Sequence, residues 1–477
     1  MAISSPLGRR LLRGFGATAL NPLVTAVTQL GPVPLLLHAW GAAKYGDWLL
    51  LSAFPTYLTL SNLGLGDASG SDMTVRVAAG DKEGALRTFQ SSFALVAAVA
   101  AAIILLASMS VWSIPWQRWL HLSSVSSHQA AAIVLVFGAY VLAWQQGGVL
   151  ESGFRCDGNF AVAIFWLSML RLAENLLASL VGILTGNLLW MATTYLVTRT
   201  AGTLAFGLLL RRKSPWLHLG VRHVSLKALK DLAAPALGFT ALPLGYGISL
   251  QGFTILIGTS LGPLFVTSFS TLRTLTRLNS QILNVVGWSV WPEFSAAFGA
   301  GNIPLARRLH RHAFQVGVAV SALVVLLLWN LGPHIYRLWV RKAVNFDASC
   351  FHILLLVALA DSLWFVSSVV PMSTNAHQRL SLTFVGGSSA SLIAAYFLIP
   401  ILRLDGAAWA LLLASLSMMG MVLRATLRQL HDTPGGFVAA LLKFPGWWRP
   451  ARTGAEAYRG FIDQHSSHWN KRRPAAA

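Results

Sequence analysis

Apolar stretches of membrane-spanning length run through the chain near 14–37, 46–66, 89–112, 130–150, 160–183, 187–210, 233–258, 263–291, 312–331, 350–372, 380–401 and 406–428. A helix needs about 20 apolar residues to cross the hydrocarbon of a bilayer, and a chain in lipid must satisfy its backbone internally. The runs are continuous rather than alternating, which selects helices over strands. They predict an all-α polytopic membrane protein of about twelve transmembrane helices. Only 11% of the residues are Asp, Glu, Lys or Arg, against about 25% in an average soluble domain. A soluble fold of 477 residues needs a charged shell that this chain does not supply.

The formal charge of +20 raises nucleic acid as a partner. Its distribution argues instead for the excess of Lys and Arg on cytoplasmic loops. With the N-terminus inside, 26 of the 36 Lys and Arg fall on the cytoplasmic side, 6 on the other, and Arg171, Arg199, Arg273 and Arg277 within spans. That split predicts cytoplasmic termini and a lipid bilayer, with no nucleic acid, as the environment. Arg337, Arg341 and Lys342 run against it. The N-terminal Arg9, Arg10 and Arg13 read as the inner flank of an uncleaved first span.

The spans repeat at a nearly constant offset. Pro22 and Pro243, Gly41 and Gly262, Gly66 and Gly287, and Gly80-Asp81 and Gly301-Asn302 are each 221 apart. Pro115 and Pro333 are 218 apart, Trp144 and Trp364 220, and Trp190 and Trp409 219. Such agreement points to a duplication. Six spans per half give parallel repeats around a central cavity, with the substrate site expected at their interface. The expected division is an N-terminal half (1–210), a basic cytoplasmic linker (211–232), a C-terminal half (233–430) and a basic cytoplasmic tail (431–477).

The eighth span carries the sharpest chemical signal. Ser270, Arg273, Thr274, Arg277, Gln281 and Asn284 follow one helical face. A charge facing lipid at mid-membrane costs roughly 2.5–3.5 kcal/mol, so two arginines must face water or partners. Guanidinium groups grip phosphate in a bidentate manner, which makes this face a candidate anion site. The alternative is a structural ion pair with Asp361 or Glu174. The corresponding positions in the second span, Ser52 and Thr56, are polar and uncharged, so both halves are expected to line one cavity. In the fifth span Arg171 and Glu174 are three residues apart and suited to pair with each other; Arg171 is otherwise a second cavity cation. Asp361, in the tenth span, is either a proton or sodium relay or a counter-ion of the arginines.

No phosphate-binding GxxxxGK[ST] loop, HExxH or GxSxG motif occurs, and no long extracytoplasmic stretch that would suit a polymerase or ligase. The two cysteines, Cys156 and Cys350, form no metal-ligand or disulfide pattern, and His310-Arg-His312 has no acidic or cysteine partner, so no metal and no cofactor is expected. A membrane-embedded enzyme would need paired acids or a metal cluster, and none is evident.

The segment Gly41–Trp48 (GAAKYGDW), the close of the second span at Leu63–Gly66 (LGLG) and the loop Ala78–Ala85 (AAGDKEGA) resemble the multidrug/oligosaccharidyl-lipid/polysaccharide (MOP) exporter superfamily. Within it the likeness is to Wzx-type O-antigen and polysaccharide flippases, over about residues 10–430. The resemblance implies export of an oligosaccharide linked to undecaprenyl diphosphate across a bacterial inner membrane. It implies a cationic cavity, with Arg273, Arg277, Arg171 and Asn284 as headgroup-binding candidates. It also implies coupling to H+ or Na+ through Asp361 or Glu174, and a polysaccharide polymerase and chain-length regulator as partners. A drug/cation antiporter of the same superfamily is the alternative, although its substrates favour acidic cavities. A major-facilitator sugar transporter fits less well, because the loop after the second span, Gly66–Arg76, does not match that family's pattern.

Overall fold

The computed structural model describes residues 24–58, 64–299, 301–341, 343–373 and 377–442. Among the described residues every regular element is helical. Single turns at Val111–Ser113 and Trp116–Trp119 aside, the elements are α1 (Pro32–Thr56), α2 (Leu65–Ala78), α3 (Lys82–Ser110), α4 (Ser127–Cys156), α5 (Phe160–Thr185), α6 (Leu188–Lys213) and α7 (Leu226–Gly247). A π-helical turn, Ile248–Gly252, leads into α8 (Phe253–Leu261) and α9 (Pro263–Thr276). There follow α10 (Leu278–Gly299), α11 (Ile303–Val340), α12 (Ala348–Ser373), α13 (His377–Leu402), α14 (Leu404–Gln429) and α15 (Pro434–Leu442).

Eight helical stretches among the described residues are long and apolar enough to cross a membrane. The other four expected spans have physical reasons to fall short. The first begins before the described residues, and the second is divided between α1 and α2. The sixth, in α6, carries Thr193, Thr194, Thr198 and Arg199; the eighth carries Arg273 and Arg277 and is divided between α9 and α10. Exposed Leu105, Leu106 and Met109 on α3, Leu326 and Leu338 on α11, and Ile393, Phe397 and Ile401 on α13 give the outside an apolar surface. Such a surface suits hydrocarbon rather than water, and the chain is a multi-pass membrane protein.

The offset of 221 reappears in the backbone. Gly41, inside α1, has φ 74° and ψ 170°, and Gly262, before α9, has φ 92° and ψ 174°. Both are conformations that side chains with a Cβ resist. Gly41 kinks the chain inside α1, joining two helical segments, and Gly262 stands between α8 and α9. The second pair of turns matches bond for bond. Asp81 caps α3 by accepting from the Gly84 N–H at 2.8 Å, and Asn302 caps α11 by accepting from the Leu305 N–H at 3.0 Å. The Gly84 N–H, with Arg76 beside it, holds the Asp81 carboxyl below the usual carboxylate range. Packing is also shared: α4 lies on α6 and α2 as α12 lies on α14 and α10.

The halves are joined where α1 meets α9. Gly46 comes so near Pro263 that a Cβ there would stand 2.0 Å from the Pro263 carbonyl oxygen. Thr267 donates to the Ala42 carbonyl at 2.7 Å, and Trp339 to the Leu30 carbonyl at 2.9 Å. Toward the Gly80 and Gly301 turns α2 packs on α3 and α4 and, across the halves, on α7, while α10 packs on α9, α11 and α12.

Residues between α6 and α7 are strapped to the first half. Asp157 accepts from Ser214 at 2.5 Å and Trp216 at 3.2 Å, and Gln90 bonds the His218 carbonyl and the His223 N–H. After α14, Asp432 takes two bonds from Arg311, at 2.6 and 2.9 Å, which fasten α15 against α11. Burial pushes the Asp432 carboxyl up, but the Arg311 guanidinium outweighs it and holds the group below its ordinary value. The tail beyond 442 lies outside the described residues.

Candidate functional site

Two cavities meet at one side chain. The larger, about 460 Å³, lies within the second half between α7, α9, α10, α12, α13 and α14, and includes Arg273, Arg277 and Asp361 in its wall. The smaller, about 260 Å³, lies between the halves. The first half contributes Gln29, Tyr45, Trp48, Asn175 and Tyr195 to it, and α9 contributes Ser270 and Thr274. Arg277 lines both. One cavity lined by both halves was expected; the smaller cavity is lined by both, and the larger belongs to the second half alone. Ser52 and Thr56 bond the carbonyls of Leu49 and Ser52 on their own helix and do not line either cavity.

The two arginines of the eighth span differ. Arg273 donates to the carbonyls of Ser249 at 3.4 Å and Leu250 at 3.2 Å, and to the Thr254 hydroxyl at 3.3 Å. Its guanidinium also lies over the Phe269 ring at 5.1 Å. Both carbonyls belong to the π-helical turn 248–252, where the hydrogen-bond spacing is altered, and the Leu250 carbonyl also accepts from the Thr254 hydroxyl at 2.9 Å. Arg273 thus holds the joint between α7 and α8. Arg277, at the joint between α9 and α10, is exposed, and its side chain makes no hydrogen bond or ion pair with any described residue. Among the described residues it is the free guanidinium of the site. Asn284 lies within α10, but its side chain is outside the described residues.

Asp361 accepts from Ser415 at 2.6 Å and from the Trp364 indole at 3.0 Å, both at Oδ1. No ion pair joins it to Arg273 or Arg277. A direct counter-ion role is excluded in this conformation, although its charge remains on the wall that Arg277 faces.

Glu174 does not pair with Arg171. Its carboxylate receives Arg199 at 2.5 Å and the Tyr140 hydroxyl at 3.0 Å, and the Glu174 and Arg199 side chains are each 1% exposed. The partner comes from the next helix because α5 and α6 pack closely, which brings position 199 beside 174. Arg171 donates to Thr25 at 3.5 Å. Neither Arg171 nor Glu174 lines the two cavities. Sequence reasoning missed Trp48 and Tyr195, whose rings stack at 6.0 Å beside the smaller cavity. Their signal was aromatic residues within spans, indistinguishable there from core.

No family model and no curated protein matches the chain. Solved structures do. A MATE family multidrug resistance transporter of the MOP superfamily, inward-facing, matches over 87% of this chain and 98% of its own, with a TM-score of 0.73 at 16% identity. The fold is that of the MATE transporters. An outward-facing MATE structure matches with a TM-score of 0.58 at 16% identity, over 91% of this chain and 95% of its own. A MOP superfamily transporter from Pyrococcus furiosus, described as having a binding pocket of reverse polarity, matches with a TM-score of 0.61 at 16% identity over the same shares.

Proposed function

We propose that this protein exports an anionic, lipid-linked saccharide, such as an oligosaccharide on undecaprenyl diphosphate, from the cytoplasmic side of a bacterial inner membrane. The supporting observation is Arg277: a guanidinium without a partner among the described residues, lining both cavities. A cation held this way inside a membrane protein is suited to a phosphate. Transport by alternating access fits two six-span halves joined where α1 meets α9. The termini would both be cytoplasmic. Asp361 is the acid on the cavity wall for coupling to H+ or Na+. A polymerase and chain-length regulator would act on the exported saccharide.

A second reading, a drug/cation antiporter, is favoured by the fold matches, since these are multidrug transporters. They back it better than they back a flippase. Against it stands the cavity charge, two arginines to one aspartate. Thermal unfolding of the purified chain separates the two. The saccharide lipid at a hundredfold excess over its Kd is expected to add about 2.7 kcal/mol of stability, and ethidium none. Stabilisation by ethidium alone would establish the antiporter.

A further inference from the structure

The larger cavity holds more polar capacity than a phosphate uses. Serines within helices ordinarily return their hydroxyl to a carbonyl three or four residues back, as Ser152, Ser368 and Ser417 do here. Ser249, Ser280 and Ser388, all on the cavity wall, make no such bond and have no other partner among the described residues. The Tyr246 hydroxyl is likewise without a partner, and Asp361 receives both of its bonds at Oδ1, none at Oδ2. Aromatic faces stand beside these groups: Trp364 packs on Phe384 at 5.4 Å between ring centres, and Tyr246 on Phe384 at 4.8 Å. Gly387 leaves room on α13, where a Cβ would meet nothing nearer than Met418 at 3.8 Å.

Hydroxyls serve as both donors and acceptors, and a carboxylate accepts only. Four unused hydroxyls and a carboxylate oxygen around aromatic faces match a ligand dense in hydroxyl groups with apolar ring faces. They match neither a hydrocarbon tail nor a bare phosphate.

We propose that the cavity inside the second half is a carbohydrate subsite. It takes the sugar next to the phosphate that Arg277 holds, with Asp361 accepting from sugar hydroxyls and the Trp364–Phe384–Tyr246 cluster facing the ring. This rests on the anionic-saccharide reading and adds to it that the first sugar, not only the diphosphate, is selected. Asp361 is then a specificity residue, whatever its part in coupling.

The test is calorimetric titration of the purified full chain with inorganic phosphate, inorganic diphosphate and a panel of hexose and N-acetylhexosamine 1-phosphates. At least one sugar phosphate is expected to bind about tenfold or more tighter than phosphate, a difference on the scale of sites that hydrogen-bond a substrate hydroxyl. Asp361→Asn should erase that preference while binding inorganic phosphate at least as tightly as the parent, because a neighbouring negative charge is gone. Gly387→Val should erase it by narrowing the cavity. Equal affinity for phosphate and every sugar phosphate, or a preference that survives both substitutions, would overturn the subsite. Failure of phosphate and diphosphate to bind at all would instead remove the anionic reading, and Arg277→Gln, expected to weaken both while leaving Asp361 and the Trp364–Phe384–Tyr246 cluster unchanged, keeps the two failures apart.

Discussion

Arg277→Gln is expected to abolish export while the protein accumulates to normal levels. Arg277 has no partner among the described residues, so its removal strands no other group. What disappears is a charge-assisted contact to the substrate. Hydrogen bonds to charged groups contribute about 1.5–3 kcal/mol each, so losing a bidentate pair weakens headgroup binding by two orders of magnitude or more. Arg273→Gln behaves differently. It removes the side-chain donor to the Ser249 and Leu250 carbonyls at the π-helical turn and loosens the α7–α8 joint. Its expected signature is a lower unfolding midpoint alongside reduced export. Surface polysaccharide in cells, read against immunoblotted protein, separates these outcomes. Normal export by Arg277→Gln would remove the arginine from the transport path.

Arg199→Met carries the second large effect, on stability rather than transport. Glu174 Oε2 and Arg199 Nε are already buried without a partner, so this pair has little reserve. Removing one member of a buried ion pair costs about 3–5 kcal/mol because the other is left charged in an apolar setting, against a total of about 5–15 kcal/mol for a typical domain. Arg199→Met should therefore fail to accumulate. The double variant Arg199→Met, Glu174→Gln should recover most of the loss, since a neutral amide can keep the Tyr140 bond. Expression level and unfolding midpoint of the three variants decide it. A stable Arg199→Met single variant would mean that Glu174 is neutral in the folded protein.

The span pattern was legible because hydrocarbon demands it residue by residue, and the repeat because Gly41 and Gly262 occupy backbone conformations that other residues resist. The importance of Arg273 and Arg277 was also readable, since intramembrane charges cannot be idle. Their division of labour was not. It depends on a π-helical turn in a different helix, whose carbonyls select Arg273 and leave Arg277 free. The Arg199 partner of Glu174 was hidden for a similar reason. Spacing along one helix favoured Arg171, while the angle between α5 and α6 supplied the guanidinium that the carboxylate meets. Placement of the larger cavity inside the second half rests on how α12, α13 and α14 pack, which no single-helix pattern carries. The serines without back-bonds on its wall look in sequence like any other small residues of a membrane helix.

The central claim is that Arg277 carries an anionic, lipid-linked headgroup between leaflets. It is met most directly by reconstituting the full chain in liposomes loaded with a fluorescent saccharide on undecaprenyl diphosphate, and following loss of signal to a membrane-impermeant quencher. The account predicts leaflet transfer by the parent chain and background transfer by Arg277→Gln. Equal transfer by both, or export of ethidium with no movement of the saccharide lipid, would contradict it.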